Sequence, residues 1–222
     1  MLNEDNKPLI FIDIETRPPS DWTDEQKKAL VKVPSNYRKQ ETIDKYIAEH
    51  QEEAYRRLAL DPMLGEVLCV GVAIEDADPI VIYEETEEET LKTLWRGMEG
   101  RIGHALVGHN LIDFDLPFIA RRALRHGIDR LCRRMWCSRR YGSPMFVDTL
   151  VHWRGPQFKA RGSLTAVCEF LRIERLPDQL MGGQVYDAVK VGARSSIIEH
   201  CMDDVKVTRE VYRRLRAGGI IL

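Results

Sequence analysis

The sequence predicts an α/β fold in which a mixed β-sheet is flanked by helices. Short apolar runs at 9–14, 66–74, 79–83, 105–107 and 146–150 have the length and composition of strands. The first three runs precede the main helices, and the later runs alternate with helical stretches. That order is expected of a sheet that begins with antiparallel strands and continues with parallel ones.

The first predicted strand, Leu9–Ile14, is apolar except for Asp13 and is followed by Pro18 and Pro19. A continuous apolar run of this kind is typical of a strand that is buried on both faces. Residues 20–62 are polar and helix-prone, with apolar side chains near helical spacing. They predict a helical insertion after the first strand.

The remaining elements are predicted from turn and helix signals. The runs 66–74 and 79–83 are joined by a short acidic turn and predict a hairpin or meander beside the first strand. The last helix is expected to begin at a capping box formed by Ser196-Ile197-Ile198-Glu199. Further helices are expected over about 87–99, about 115–126 and 163–171.

Length and composition predict a soluble protein. The 222 residues, 44% of them apolar, are enough for one core, and we expect a single domain over 1–222. The apolar run 67–74 is too short to cross a bilayer, and Glu4 and Asp5 lie where a signal peptide needs positive charge. We therefore expect a cytoplasmic location without membrane contact. An odd number of cysteines, five, favours free thiols.

Charge is unevenly distributed although the net charge is only −2. Residues 121–161 contain ten arginines and one lysine against two aspartates, a net charge of +9. Residues 75–99 contain nine acids against two basic residues, a net charge of −7. The basic segment suits a polyanion such as nucleic acid. A solvated, arginine-rich helix explains the same pattern.

Two carboxylates on the first strand need a physical reason. Asp13 and Glu15 are two residues apart, so their side chains project from the same face of the strand. Unpaired carboxylates in a buried strand cost several kcal/mol to desolvate, and a divalent cation with oxygen ligands offsets that cost. The alternative is that Glu15 lies beyond the strand end, in solvent.

Asp115 is a third candidate, and it has a competing structural explanation. It precedes Leu116 and Pro117, so it is also a good N-cap residue for the helix that follows. However, Asn110 and Phe114 lie just after a buried strand, where ligand-binding groups gather in open α/β sheets.

Helical periodicity distinguishes the two neighbouring acids of the last helix. Asp204 shares a mostly apolar face with Cys201 and Thr208, whereas Asp203 is grouped with exposed charged residues on the wet face. We therefore expect Asp204 to point toward the core. His200 lies one turn before it and is a candidate for orienting or deprotonating water.

In chain order, three short patterns resemble the exonuclease motifs of the DEDD superfamily of 3′–5′ exonucleases. They are Phe11-Ile12-Asp13-Ile14-Glu15-Thr16, then Asn110-x-x-x-Phe114-Asp115, then His200-x-x-x-Asp204-Val205. The sequence is most similar to the group related to the exonuclease domain of B-family DNA polymerases, and the pattern covers residues 11 to about 215. The resemblance implies a ribonuclease H-like fold and excludes Asp113 by its spacing. One position departs from the pattern, because His200 stands where this branch usually has tyrosine.

The resemblance implies a mechanism with two Mg²⁺ or Mn²⁺ ions about 4 Å apart. Asp13 would bridge both ions. Glu15 and Asp204 would hold the ion that activates water, and Asp115 would act mainly through the water shell of the second ion. His200 would position the attacking water.

The resemblance also implies how substrate is held. Thr16 would lie near the terminal 3′-hydroxyl, and Asn110 and Phe114 would shape the pocket. The expected partner is nucleic acid, single-stranded or at a 3′ end, with DNA favoured over RNA and weak base preference. The sequence indicates no particular protein partner.

Other candidates are weaker. Asp148 is expected to support the site through hydrogen bonds rather than to bind metal. Cys132 and Cys137 have no second pair of ligands at zinc-site spacing. Lys159, Arg161 and the arginines of 121–140 are candidates for contact with the phosphate backbone.

Three other functions remain open at this stage. The fold with bound metal also supports internal cleavage by an endonuclease or a ribonuclease H-type enzyme. A second alternative is a nucleic-acid-binding module without catalysis, which retention of all four acids argues against. A third, a purely structural domain, leaves two carboxylates on a buried strand unexplained.

Overall fold

A computed structural model of the chain describes residues 7–136, 145–157, 160–177, 180 and 182–221. Within these ranges the strands form one sheet in the order β3-β2-β1-β4-β5. In chain order they are β1 (Leu9–Arg17), β2 (Glu66–Ile74), β3 (Ile80–Ile82), β4 (Ala105–Gly108) and β5 (Phe146–Asp148).

The pairing confirms the predicted mixed sheet. β1 is antiparallel to β2, and β2 is antiparallel to β3, so the first three strands form the expected meander. On its other side β1 is parallel to β4, and β4 is parallel to β5. β1 lies between β2 and β4, and helices cover both of its faces. A strand in this position is buried on both faces, which explains the apolar run in its sequence.

Helices cover both faces of this sheet, as predicted. They are α1 (Asp24–Ala29), α2 (Gln40–Arg56), α3 (Glu87–Met98), α4 (Asp115–Arg125), α5 (Asp129–Met135), α6 (Thr149–Arg154), α7 (Leu164–Leu171), α8 (Val185–Lys190) and α9 (Arg194–Ala217). Among the described residues, no helix is both long enough and apolar enough to span a bilayer.

Side-chain alternation along β1 separates a structural face from the face that carries the acids. One face packs in the main core with side chains of α3, α4 and α5, through Ile10, Ile12 and Ile14. Phe11 faces the other way and packs with Val207 and Val211 of α9. Asp13 and Glu15 alternate with the isoleucines in the same way as Phe11, so they face α9.

A glycine lets α9 approach the sheet closely. A Cβ atom at Gly71 of β2 would lie 2.7 Å from Cγ2 of Val205 and 2.8 Å from Sγ of Cys201. Real Cβ atoms essentially never approach other heavy atoms this closely. The absence of a side chain at Gly71 therefore determines how near α9 lies to the strand that carries the acids.

The insertion after β1 is helical, as predicted, and it packs through few side chains. α1 has no buried residue, and Tyr55 is the buried residue of α2. The hydroxyl group of Tyr55 donates a hydrogen bond to the carbonyl oxygen of Pro19. Ion pairs join α2 to α8, including Nζ of Lys190 with Oε1 of Glu52 at 2.8 Å. The insertion is thus attached near the end of β1 and along α8.

Two local predictions were wrong, and three short helices were not predicted. The last helix begins at Arg194 with Ala193 as its N-cap, and Ala193 makes no side-chain capping bond, so the capping box at Ser196 does not form. The strand expected over 146–150 ends at Asp148, whose side chain caps α6 instead. α5, α6 and α8 were not predicted, because six or seven residues give little periodic signal.

Candidate active site

The carboxyl ends of β1 and β4 open into a cleft of about 680 Å³. α7 and α9 form much of its other wall. Its lining includes the four predicted acids and the predicted histidine: Asp13, Glu15, Asp115, His200 and Asp204. Residues that are 191 positions apart in the sequence therefore meet in one depression.

The first two acids lie within β1. Glu15 pairs with Cys69 of β2 and is only 8% exposed, so the alternative in which it lies beyond the strand in solvent is wrong. An irregularity in the pairing follows immediately, between Glu15 and Thr16. Irregularities of this kind re-aim side chains at the ends of strands. Asp13 is partly buried, and its side chain lies one pleat behind Glu15 on the same face.

Asp115 is fixed to β1 by a backbone hydrogen bond. It is the first residue of α4, and Phe114 occupies the N-cap position without a side-chain capping bond, so the N-cap alternative is wrong. The Oδ1 atom of Asp115 accepts a hydrogen bond from the backbone N–H of Ile14 at 3.1 Å. This bond places the Asp115 carboxylate beside the two acids of β1.

α9 supplies the remaining two residues. Nε2 of His200 lies 3.3 Å from Oε1 of Glu15 and 4.0 Å from Oδ2 of Asp204. His200 is 6% exposed, and among the described residues its Nδ1 atom has no hydrogen-bond partner. The imidazole is therefore held between two carboxylates by its Nε2 edge.

The neighbouring acid is not where periodicity placed it. Asp203 was expected on the wet face of α9, but it is 4% exposed. Its Oδ2 atom accepts a hydrogen bond from Nε of Arg175 at 3.1 Å, and its Oδ1 atom accepts one from the backbone N–H of Leu176 at 3.4 Å. The segment after α7 covers this part of α9, which a helical wheel of α9 alone does not reveal.

The electrostatics of the cleft disfavour several negative charges together. Burial, and next the Asp204 carboxylate, raise the pKa of Asp13 well above its usual value, and burial does the same for Glu15. Burial raises the pKa of Asp115 to about 8. The pKa of Asp204 is also raised, although His200 and an arginine oppose the effect of burial.

The histidine is shifted in the opposite direction. Burial lowers the pKa of His200 below its usual value, and the Asp204 carboxylate only partly opposes this. His200 is consequently neutral near pH 7, and it does not neutralise the carboxylates around it. A cation supplied from solution would do so.

Donor atoms in the cleft are close enough together to share a cation. One donor atom from each of Glu15, His200 and Asp204 lies within 4.8 Å of the others. The same holds for Asp13, Glu15 and Cys201, where the thiol is the third donor. Carboxylate oxygens dominate both sets, and oxygen donors are the ligands that Mg²⁺ and Mn²⁺ prefer.

Asp148 has the supporting role that was expected of it. It is 2% exposed at the end of β5, and its carboxylate accepts hydrogen bonds from backbone N–H groups on two segments. Those of Asn110 and Ile112, at 3.0 and 2.9 Å, belong to the loop that leads to Asp115. Asn110 has a φ of +63°, a left-handed conformation that asparagine tolerates better than most residues. Asp148 therefore fixes the loop that positions Asp115.

Of the three residues expected to contact substrate, one lines the cleft and two do not. Phe114 lines the cleft. Thr16 lies in β1 after the pairing irregularity and Asn110 lies in the loop before α4, and neither is part of the cleft lining. The expected contact of Lys159 falls outside the described residues, as does any pairing of Cys137.

One functional candidate that the sequence did not indicate is a cation next to the acids. Arg175 lines the cleft, and its Nη2 atom donates a hydrogen bond to Oδ1 of Asp204. Arg161 also lines the cleft, as does His109, whose Nε2 atom is 2.6 Å from the carbonyl oxygen of Gly162. Arg175 follows a short helix in a loop and shows no periodicity or motif spacing that could have identified it.

Comparison with known proteins agrees with this geometry. A family model described as "Predicted 3′-5′ exonuclease related to the exonuclease domain of PolB" matches residues 74–218, which contain Asp115, His200 and Asp204. β1 precedes the matched range. No curated protein matches the sequence.

Among solved structures, the chain is similar to the family B DNA polymerase from the hyperthermophilic archaeon Pyrobaculum calidifontis. The TM-score is 0.63 at 18% sequence identity. The similarity covers 97% of this chain and 25% of the polymerase chain. It shows that the fold is the ribonuclease H-like fold of a polymerase exonuclease domain. The chain corresponds to about a quarter of that polymerase.

Proposed function

Because the chain belongs to the family of predicted 3′–5′ exonucleases related to the exonuclease domain of PolB, we propose that it hydrolyses nucleic acid from a 3′ end. Single-stranded DNA is the proposed substrate. The observation that carries the proposal is the convergence of four carboxylates, from β1, α4 and α9, in one cleft. A binding module without catalysis has no use for this concentration of buried acids.

The residues present fit a pair of divalent cations. Their donors are mainly carboxylate oxygens, and the raised pKa values of Asp13, Glu15 and Asp115 reflect burial and mutual repulsion, which bound cations would relieve. We propose that these three acids and Asp204 hold two Mg²⁺ or Mn²⁺ ions. When bound, such ions stabilise the charge that develops on the attacking and leaving oxygens.

His200 is proposed to position the attacking water. Its low pKa keeps the imidazole neutral, and its Nε2 atom already lies between Glu15 and Asp204. In the reaction, the oxygen of water forms a bond to the terminal phosphorus while the bond from phosphorus to the 3′ oxygen of the preceding nucleotide breaks. The products are a 5′-mononucleotide and a chain shortened by one, with a free 3′-hydroxyl.

The walls of the cleft are suited to a flexible strand. The aromatic ring of Phe114 offers a surface for stacking of a terminal base, and Arg161 offers a positive charge to the phosphate backbone. We propose that Thr16 lies near the terminal 3′-hydroxyl and that Asn110 shapes the pocket from behind Phe114. Stacking and backbone contacts of this kind give weak base preference.

The test is cleavage of 5′-labelled single-stranded oligonucleotides of DNA and of RNA with Mg²⁺ or Mn²⁺. Asp13→Asn and an EDTA control should abolish cleavage. Asp113→Asn is the matched control, because Asp113 is exposed, lies outside the cleft lining and is two residues from Asp115. It should cleave like the wild type. A second substrate carries a 3′-phosphate, which blocks the free end.

The pattern of products separates the alternatives. A ladder that shortens from the free 3′ end and is slowed by the 3′-phosphate is expected. Internal cuts that are unaffected by the block would replace the proposal with an endonuclease or ribonuclease H-type activity. Binding of oligonucleotide without cleavage of DNA or RNA under either metal would leave a non-catalytic module.

A further inference from the structure

Arg175 is held at the edge of the acidic cleft by residues outside the four-acid set. Its Nε atom donates a hydrogen bond to Asp203 at 3.1 Å, and its Nη1 atom donates one to Oγ1 of Thr165 at 3.0 Å. Asp203 is almost fully buried in α9, and Thr165 belongs to α7. Two of the three guanidinium nitrogens are therefore fixed by neighbouring helices.

The third nitrogen faces the site itself. Nη2 of Arg175 contacts Oδ1 of Asp204, the acid of α9 that is proposed to bind metal. The Arg175 side chain is 16% exposed, as is that of Asp204, and both line the cleft. The edge of the guanidinium that contacts Asp203 and Thr165 thus points into the protein, and its Nη2 atom lies at the cleft, beside Asp204.

The two aspartates that pair with Arg175 differ in whether a metal ion can compete with the arginine for them. Asp203 does not line the cleft, so a metal ion or substrate in the cleft does not compete directly for its hydrogen bond with Arg175. Asp204 does line it, and its carboxylate cannot fully serve both Arg175 and a divalent cation. Once Asp204 acts as a metal ligand, its hydrogen bond with Nη2 of Arg175 weakens, and the scissile phosphate is the anion that this cleft would hold beside Nη2.

We propose that Arg175 is a phosphate-binding catalytic residue that pairs with Asp204 in the metal-free protein and contacts the scissile phosphate when Asp204 holds metal. The inference rests on the proposed function. A guanidinium group presents its N–H donors in a rigid fork that matches phosphate oxygens, and it stays charged at every physiological pH. Its anchors at Asp203 and Thr165 hold the fork in place before substrate binds.

The proposal predicts opposite effects on metal binding and on turnover. In Arg175→Gln, loss of the competing cation should strengthen binding of Mn²⁺ by about fivefold, because one ion pair is worth up to roughly that factor. Titration calorimetry without nucleic acid measures this affinity. Loss of the phosphate contact should lower kcat by about tenfold and raise KM by about tenfold. The resulting loss of about 100-fold in kcat/KM is the magnitude typical of one lost donor to a developing charge. Arg175→Lys should recover part of kcat, because it keeps the charge but loses the fork.

Controls exclude a structural explanation. Arg213→Gln removes an exposed arginine from the far part of α9, where it pairs with Asp76. This variant should change neither the Mn²⁺ affinity nor kcat. Thermal unfolding of each variant reports folding separately. Addition of guanidinium ion at a non-denaturing concentration should raise the rate of Arg175→Ala and leave that of the wild type unchanged.

Two results would overturn the proposal. A parallel fall in Mn²⁺ affinity and kcat of Arg175→Gln would mean that Arg175 only maintains the structure of the site. A rise in both the Mn²⁺ affinity and the kcat of Arg175→Gln would mean that Arg175 only competes with metal. If the wild type binds oligonucleotide but does not cleave it, the proposed function fails separately, and binding of a phosphorothioate oligonucleotide with Ca²⁺ decides the role of Arg175. Weaker binding by Arg175→Gln, by about tenfold, is expected, and unchanged binding would refute the contact.

Discussion

Substitution of Asp148 by alanine should destabilise the protein and displace Asp115, one of the acids that we propose to bind metal. The Asp148 carboxylate accepts hydrogen bonds from the backbone N–H groups of Leu150 and Val151, at 2.9 and 3.3 Å, and so caps α6. It also accepts those of Asn110 and Ile112 in the loop before α4. No other single side chain described here joins β5 to that loop by so many bonds to the backbone.

The expected magnitude follows from these bonds. Loss of an N-cap costs about 1 kcal/mol, and each of the two loop N–H groups left without an acceptor costs about 1 kcal/mol more. Asp148→Ala should therefore lower the free energy of unfolding by about 3 kcal/mol. Asp148→Asn keeps Oδ1 but replaces Oδ2, which accepts the hydrogen bond from Ile112. The free energy of unfolding should therefore fall by about 1 kcal/mol.

Urea unfolding measured without metal tests the magnitude. With a slope of about 3 kcal/mol per molar urea, Asp148→Ala should move the midpoint by about 1 M and Asp148→Asn by about a third of that. Asp61→Ala is a suitable control, because Asp61 does not line the cleft and its carboxylate accepts a hydrogen bond from the backbone N–H of Met63 in an exposed turn. Asp148→Asn should also lower kcat, since the loop it holds leads to Asp115. Equal midpoints for Asp148→Ala and the control would refute the reasoning.

Three further predictions concern the pH dependence of stability, the packing of α9 against the sheet and the buried ion pair between Glu87 and Arg122. Burial raises the pKa of Asp115 to about 8, so the folded protein binds more protons than the unfolded chain, and the free energy of unfolding without metal should fall as pH rises from about 7.5 to 8.5. Burial lowers the pKa of His109 and of His200 from the ordinary value of 6.5, so both histidines are neutral in the folded and in the unfolded chain over this range. Scanning fluorimetry should show a rise in Tm on adding Mn²⁺ that is larger at pH 8.5 than at pH 7.5, and an equal rise would contradict this. Gly71→Ala places a Cβ atom 2.7 Å from Val205, so it should cost about 1–3 kcal/mol in urea unfolding and reduce cleavage, whereas the exposed Gly97→Ala should cost nothing. Glu87→Ala leaves Arg122, which is 3% exposed, without the carboxylate it contacts at 2.6 and 2.8 Å, and should cost about 3–5 kcal/mol by thermal or urea unfolding; a loss under 1 kcal/mol would show that water replaces the carboxylate.

The sheet was predictable because its strands carry strong local signals. β1 and β2 are long apolar runs between turn residues, and their order before the helices implies antiparallel pairing. The ends of elements were less predictable. The sequence at Ser196 has the residues of a capping box, but the helix starts two residues earlier, where tertiary packing of Ile197 and of Ala193 against the α8 region determines its path.

At the candidate site, the acids of the motifs were predictable from the sequence, but the residues that pack beside them from other segments were not. Asp13 and Glu15 stand out because carboxylates interrupt an apolar run, and that signal is local. The burial of Asp203 depends on Arg175, which comes from a different segment 28 residues earlier in the chain. A helical wheel contains no information about such a segment, so it placed Asp203 in solvent and could not reveal the arginine beside Asp204.

The acids at the carboxyl edge of the sheet differ in what neutralises them, and this difference separates a structural carboxylate from a metal ligand. Asp148 has four backbone N–H donors, which satisfy its oxygens within the fold. Asp115 accepts a hydrogen bond from the backbone N–H of Ile14, and burial still raises its pKa to about 8. Burial and neighbouring carboxylates raise the pKa of Asp13 and of Glu15 well above their usual values. A carboxylate with few donors and many negative neighbours is stable as an anion only with a cation beside it. Metal binding should therefore stabilise the folded state as well as permit catalysis, and Asp13→Asn should abolish both the metal-dependent rise in Tm and cleavage, whereas Asp148→Asn should retain a metal-dependent rise in Tm.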